Sequence, residues 1–172
     1  PATDLRNWPR LIELAWLLAD AAGNEIASHA SLVKPDGFII PPEAVKIHGI
    51  TTAMAQRDGF AIESVLAAVV PSIEQASLLV AHNMRFDEKI LGAEFLRAGH
   101  PDLLETKPRA CTMLGATDYC RLPGKHGYKW PNLGELHTKL FGEPLQDSHR
   151  AIVDVRACAK CYFELRRLGI MV

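Results

Sequence analysis

Cysteine is scarce, with four in 172 residues. That is too few for the dense disulfide framework of a small secreted domain. No apolar run reaches the roughly 20 residues needed to cross a bilayer. The N-terminal residues Pro1 to Arg10 carry no secretory pattern. Neither sign of charge is in excess: 19 Lys and Arg against 20 Asp and Glu leave a formal net charge of -1. Bulk charge therefore announces no attraction to phosphate, and any such contact must come from a local patch or a bound metal. No repeat, low-complexity tract or linker divides the chain. These absences leave one domain over residues 1–172, reduced and cytoplasmic, with no membrane association.

What is present is ordinary for a domain with a full core: 48% apolar and 23% charged residues. Residues 1–9 are polar and hold two prolines, so they read as a loop. An apolar run over residues 11–18 ends at Asp20-Ala21-Ala22-Gly23-Asn24, which supplies turn chemistry. A second run over 25–33 stops at Lys34-Pro35-Asp36-Gly37, and the two make a hairpin. Pro41 and Pro42 open a helix that ends at His48-Gly49, and Thr51 caps another short one. Ile62, Val65, Leu66, Val69 and Ile73 give helical spacing over 60–75, with Pro71 as a kink or break. Residues 77–81 form a short strand and 86–98 a helix ended by Gly99. A strand over 109–113, a loop over 119–131, a helix over 132–140 and a last helix over 149–168 complete the order. The fold class is α/β, a mixed sheet flanked by helices.

Two motifs carry chemistry. His82-Asn83-Met84-Arg85-Phe86-Asp87 follows a strand and opens a helix, the place where α/β proteins put their reactive groups. Asn83 sits at the strand's exit and Asp87 in the helix's first turn; their plain structural role would be cap and dipole partner. Asp147-Ser148-His149-Arg150-Ala151-Ile152-Val153-Asp154 puts a histidine and a carboxylate at the start of the last helix. Asp154 has apolar neighbours, so burying it is costly unless it is paired or bound to a metal. A surface ion pair with Arg150 or Arg156 is its plain alternative.

Together these motifs resemble motifs two and three of the DnaQ-like 3′→5′ exonucleases, in the DEDDh branch that includes the proofreading subunit of bacterial DNA polymerase III. The matching residues are Val80-Ala81-His82-Asn83 with Phe86-Asp87, and His149-Arg150-Ala151 with Asp154. Pro9-Arg10-Leu11-Ile12-Glu13-Leu14-Ala15, Ile47-His48-Gly49-Ile50-Thr51 and Cys111-Thr112-Met113 extend the likeness in the same order. The resemblance implies a ribonuclease-H-like sheet and two divalent ions, Mg²⁺ or Mn²⁺, held by carboxylates that include Asp87 and Asp154. It implies His149 as the general base. Asn83, His48, Gly49 and Ile50 would meet the terminal nucleotide. The implied partners are single-stranded or frayed 3′ ends of DNA, or RNA, and a polymerase. A nuclease-derived module that binds without cutting is the alternative.

One motif of that family is missing. Its Asp-x-Glu on a first central strand has no counterpart near the start, since Asp4 lies in a proline-flanked loop and Glu13 inside the second expected strand. The expectations are a sheet lacking its first central strand, two core strands with open edges, a chain that begins after a missing segment, and little metal-dependent cleavage by residues 1–172. Cys158 and Cys161 fall in an apolar helical stripe and read as inert buried thiols rather than zinc ligands. Lys107, Arg109, Arg121, Lys125 and Lys129, with Tyr128 and Trp130, form a basic and aromatic region that reads as a solvated loop, or as a track for a single strand. Trp8 and Trp16 read as packing residues.

Overall fold

The hairpin comes first because the turn chemistry works as the sequence predicts. In a computed structural model that describes residues 3–146 and 150–172, β1 (Glu13–Ala19) pairs antiparallel with β2 (Glu25–Leu32), with Trp16 opposite His29. Asp20 Oδ1 closes the turn by accepting from the N–H groups of Ala22 and Asn24, each at 2.9 Å. Helices α1 (Pro42–His48), α2 (Thr52–Asp58) and α3 (Ile62–Gln75) follow. Thr51 Oγ1 accepts from Met54 N at 3.1 Å, as its capping role requires. Gly59 joins α2 to the end of β2. A Cβ there would stand 2.3 Å from the Ala55 carbonyl oxygen and 2.7 Å from Lys34 N, so only glycine fits. Pro71 lies inside α3 without ending it.

The second sheet is parallel: β3 (Leu79–Ala81) pairs with β4 (Arg109–Cys111). Between them runs α4 (Met84–Arg97). After β4 come two short helices, α5 (Thr112–Gly115) and α6 (Thr117–Cys120). The segment read as a loop holds a small hairpin, β5 (Pro123–Gly124) with β6 (Gly127–Tyr128). Asn132 and Glu135 form a capping box on α7 (Leu133–Phe141), and α8 (Ala151–Arg167) closes the chain.

The strands do not join into one sheet. Among the described residues β1 pairs only with β2, and β3 only with β4. The open edges expected from the sequence are there. Buried side chains fall into three clusters: Leu66, Val69, Ile73 and Phe95 of α3 and α4 with Leu104; Leu136, Cys161 and Leu165 of α7 and α8 with Ala116 and Cys120; and Ile40, Ile50 and Ala55 around α1 and α2. Every residue of β1 stays half-buried although the strand is mostly apolar. Leu14 and Trp16 lean on the α3–α4 cluster, so Glu13, Ala15 and Leu17 point the other way, toward α8.

The N-terminal segment is clamped rather than loose. Glu94 is 1% exposed, and its Oε1 accepts from Arg10 Nε (2.9 Å), Leu11 N (3.0 Å) and Arg97 Nη1 (2.9 Å). Arg97 also donates to the backbone oxygens of Leu5 and Trp8.

Candidate active site

A cleft of about 1000 Å³ opens between β1 and β3 and is walled by α3, α4 and α8. Asp87 and Asp154, from the two motifs, both line it. Asp87 lies in the first turn of α4 and Asp154 in the first turn of α8, so two helix N-termini converge on the cleft with a carboxylate each. Surrounding protein pushes the Asp87 pKa up to about 6. The residue nevertheless remains open to solvent.

Glu13, the first residue of β1, lines the same cleft. Burial raises its pKa, with Asp154 adding to the rise. The Ala151 N–H, Arg150 and His48 pull the other way. In the sequence Glu13 is only a strand residue, yet its carboxylate lies close enough to Asp154 to feel its charge. The available signal was a lone carboxylate inside an apolar strand, a placement that is expensive unless something pairs with it.

His82 lines the cleft and fixes the geometry at its edge. Its Nε2 donates to the Pro131 carbonyl at 3.0 Å, and Nδ1 meets the Thr112 hydroxyl at 2.9 Å. Burial lowers its pKa and favours the neutral ring these two bonds need. The exit of β3 is thereby pinned to α5 and to the approach to α7. Asn83 takes a left-handed backbone (φ 77°) and makes no side-chain cap. It is exposed beside the cleft, so its plain capping role is not what the structure shows.

His48, Gly49 and Ile50 sit at the end of α1. Gly49 has φ +74°, the left-handed C-cap that favours glycine. Ile50 N donates to His48 Nδ1 at 3.0 Å, and the Ile50 side chain is buried in the third cluster. His48 Nε2 is buried with no hydrogen-bond partner among the described residues. His149 lies outside the described residues.

The described donors do not complete a metal cage: no three His, Cys, Asp or Glu side chains among them are grouped to hold an ion. Cys158 and Cys161 are free and buried, and burial pushes both thiols up to about 12, as inert thiols should be. In the basic region Arg109 pairs with Glu88 at 2.6 Å, and Lys107 caps the carbonyls of Glu74 and Ala76. Tyr128 and Trp130 remain exposed.

Comparison with known proteins points to one family. The RNase T family model, described as exonuclease, matches residues 3–162. Three-prime repair exonuclease 1 of Homo sapiens is 31% identical over 141 residues, covering 77% of this chain and 45% of that protein. DNA polymerase III subunit epsilon of Treponema pallidum (strain Nichols) is 30% identical over 155 residues, covering 89% and 66%. The zinc-bound form of an E. coli exonuclease I complex with single-stranded DNA superposes with a TM-score of 0.73 at 22% identity, over 92% of this chain and 37% of that one. The chain thus spans less than two thirds of the length of each of these proteins.

Proposed function

The chain belongs to the RNase T family of exonucleases, and from that premise we propose that it acts on single-stranded 3′ ends of DNA, or of RNA, and releases nucleoside monophosphates. The observation that carries this reading is the convergence of Asp87 and Asp154, from separate motifs, on one solvent-open cleft. In this reading His149 takes the proton of the attacking water. Asn83 and the His48-Gly49-Ile50 turn meet the terminal nucleotide, and Glu13 holds the N-terminal turn of α8 beside Asp154. Enzymes of this family generally use divalent metals. Asp87 and Asp154 would be ligands to Mg²⁺ or Mn²⁺, but they and their described neighbours fall short of a cage, so no step is assigned to an ion. A module that binds without cutting is the weaker reading, since the matching family model is described as exonuclease and one relative is named as a three-prime repair exonuclease. A polymerase partner is suggested by the epsilon-subunit relative.

The test is competition between linear and circular single-stranded DNA of the same length and composition. Residues 1–172 should bind the linear strand preferentially, and any cutting should shorten a 5′-labelled strand as a ladder from its 3′ end. Equal affinity for the circle, or loss of nucleotides from the 5′ end, overturns the assignment.

A further inference from the structure

The small hairpin β5–β6 presents two rings that the nuclease reading does not use. Tyr128 is 50% exposed and Trp130 64%, although rings of this size contribute most when buried in a core or an interface. The ladder continues past Tyr128, because Lys129 N donates to the Leu122 carbonyl at 2.9 Å. Side chains alternate along it, so Tyr128 and Trp130 stand on one face and Lys129 on the other, where it pairs with Glu135. Among the described residues no ring stacks on either of the two. Glycine keeps the hairpin tight: a Cβ at Gly124 would stand 2.9 Å from the Gly127 carbonyl oxygen. Residues 119–131 include no carboxylate, and Arg121 and Lys125 are exposed. The hairpin also stands at the rim of the cleft. Pro131, next to Trp130, accepts from His82 Nε2 at 3.0 Å, and both His82 and Leu133 line the cleft.

The geometry points to a base clamp: Tyr128 and Trp130 hold one unpaired base between their rings, upstream of the nucleotide that enters the cleft, with Arg121 and Lys125 beside the backbone phosphates. Residues two apart along a strand are separated by about 6.6 Å. That is twice the roughly 3.4 Å rise per nucleotide along one DNA strand, so the gap admits one planar base. The clamp rests on the reading that the cleft takes a 3′ end. A base inside a duplex is already stacked and paired, so the clamp selects strands whose bases are free. Every base has a π-face, which makes the selection indifferent to sequence and to the 2′-hydroxyl.

The probe is a linear oligothymidylate of fixed length in which a single abasic site is walked back from the 3′ end. Binding to residues 1–172 is measured with divalent ions chelated, so that nothing is cut. One abasic position near the 3′ end should weaken binding by about fivefold or more, and its neighbours much less. Trp130→Leu and Tyr128→Leu should each weaken the intact strand and lose the penalty at that position, while Trp130→Phe, which keeps a ring, should retain most of it. A flat profile along the strand, or a penalty unchanged in Trp130→Leu, overturns the clamp. The walk itself uses the unaltered protein, so it decides even where a variant fails to fold. A flat profile beside an intact preference for linear DNA removes the clamp alone. Equal affinity for the circle removes the 3′ end that sets the register, and the clamp falls with the nuclease reading.

Discussion

Asp87 holds its charge at the expense of stability. Its folded pKa of about 6 lies above the ordinary 3.8, so the folded state binds the proton more tightly than the unfolded state does. The sign follows: this contribution is fully present below about pH 4 and is lost as pH rises through about 6. Asp87→Asn should therefore raise Tm at pH 7.5 and change it little at pH 4. A Tm gain that is the same at both pH values would show that the carboxylate is not the cause. The same substitution, and Asp154→Asn, should lower any 3′-end cleavage by roughly a hundredfold or more. His149→Ala should remove most turnover, by about 10²-fold, while the preference for linear DNA persists. Asp87 and Asp154 were legible in the sequence because short motifs fix them at helix starts. The role of Glu13 was not. A strand position says which face a side chain takes, but not whose N-terminus waits there.

Among the elements, the clamp on α4 is the most exacting. A carboxylate oxygen that accepts from two guanidinium groups and a backbone N–H is expensive to remove, because the donors stay behind. Glu94→Ala should cost about 3 kcal/mol in urea unfolding with an unchanged m-value. Asn132→Ala removes one half of the capping box and should cost about 1 kcal/mol. If it also loosens Pro131, whose carbonyl accepts from His82 Nε2, the pKa of that ring should fall further, because this bond raises it against the burial that lowers it, a shift an NMR titration can follow. Helices and their caps were readable to within a few residues because periodicity and Ser, Thr, Asn and Gly punctuation act locally. The small hairpin was hidden in its own sequence. Two-residue strands leave no alternation to read, and Gly124 and Gly127 look the same in a loop. Of the kink or break expected at Pro71, the break does not occur: the proline marks a lost N–H, but the exposed face of α3 on which it lies tolerates that loss without ending.

At the scale of the whole molecule, there are three buried clusters, and one of them, through Val69, Ile73 and Leu104, lines the cleft between β1 and β3. The class of fold was visible from the order of elements. The division of the sheet was visible only as an unfilled place between strands, because pairing partners are set by the rest of the fold. Amide exchange should reproduce the arrangement. Amides of β1 that bond to β2 should be protected, and the alternate ones facing the cleft should exchange quickly; uniform protection along the strand would contradict an open edge. The thiol of Cys158 offers a second gauge. It is buried, and its Sγ lies 3.7 Å from the Thr112 hydroxyl. Burial pushes its pKa up to about 12, so almost no thiolate is present at neutral pH and a labelling reagent finds little to attack. When α8 lifts from the strands, that thiol regains an ordinary acidity and reacts. Its rate of modification is therefore a clock for the unlatching of the wall that carries Asp154, already built into the protein and needing no added probe.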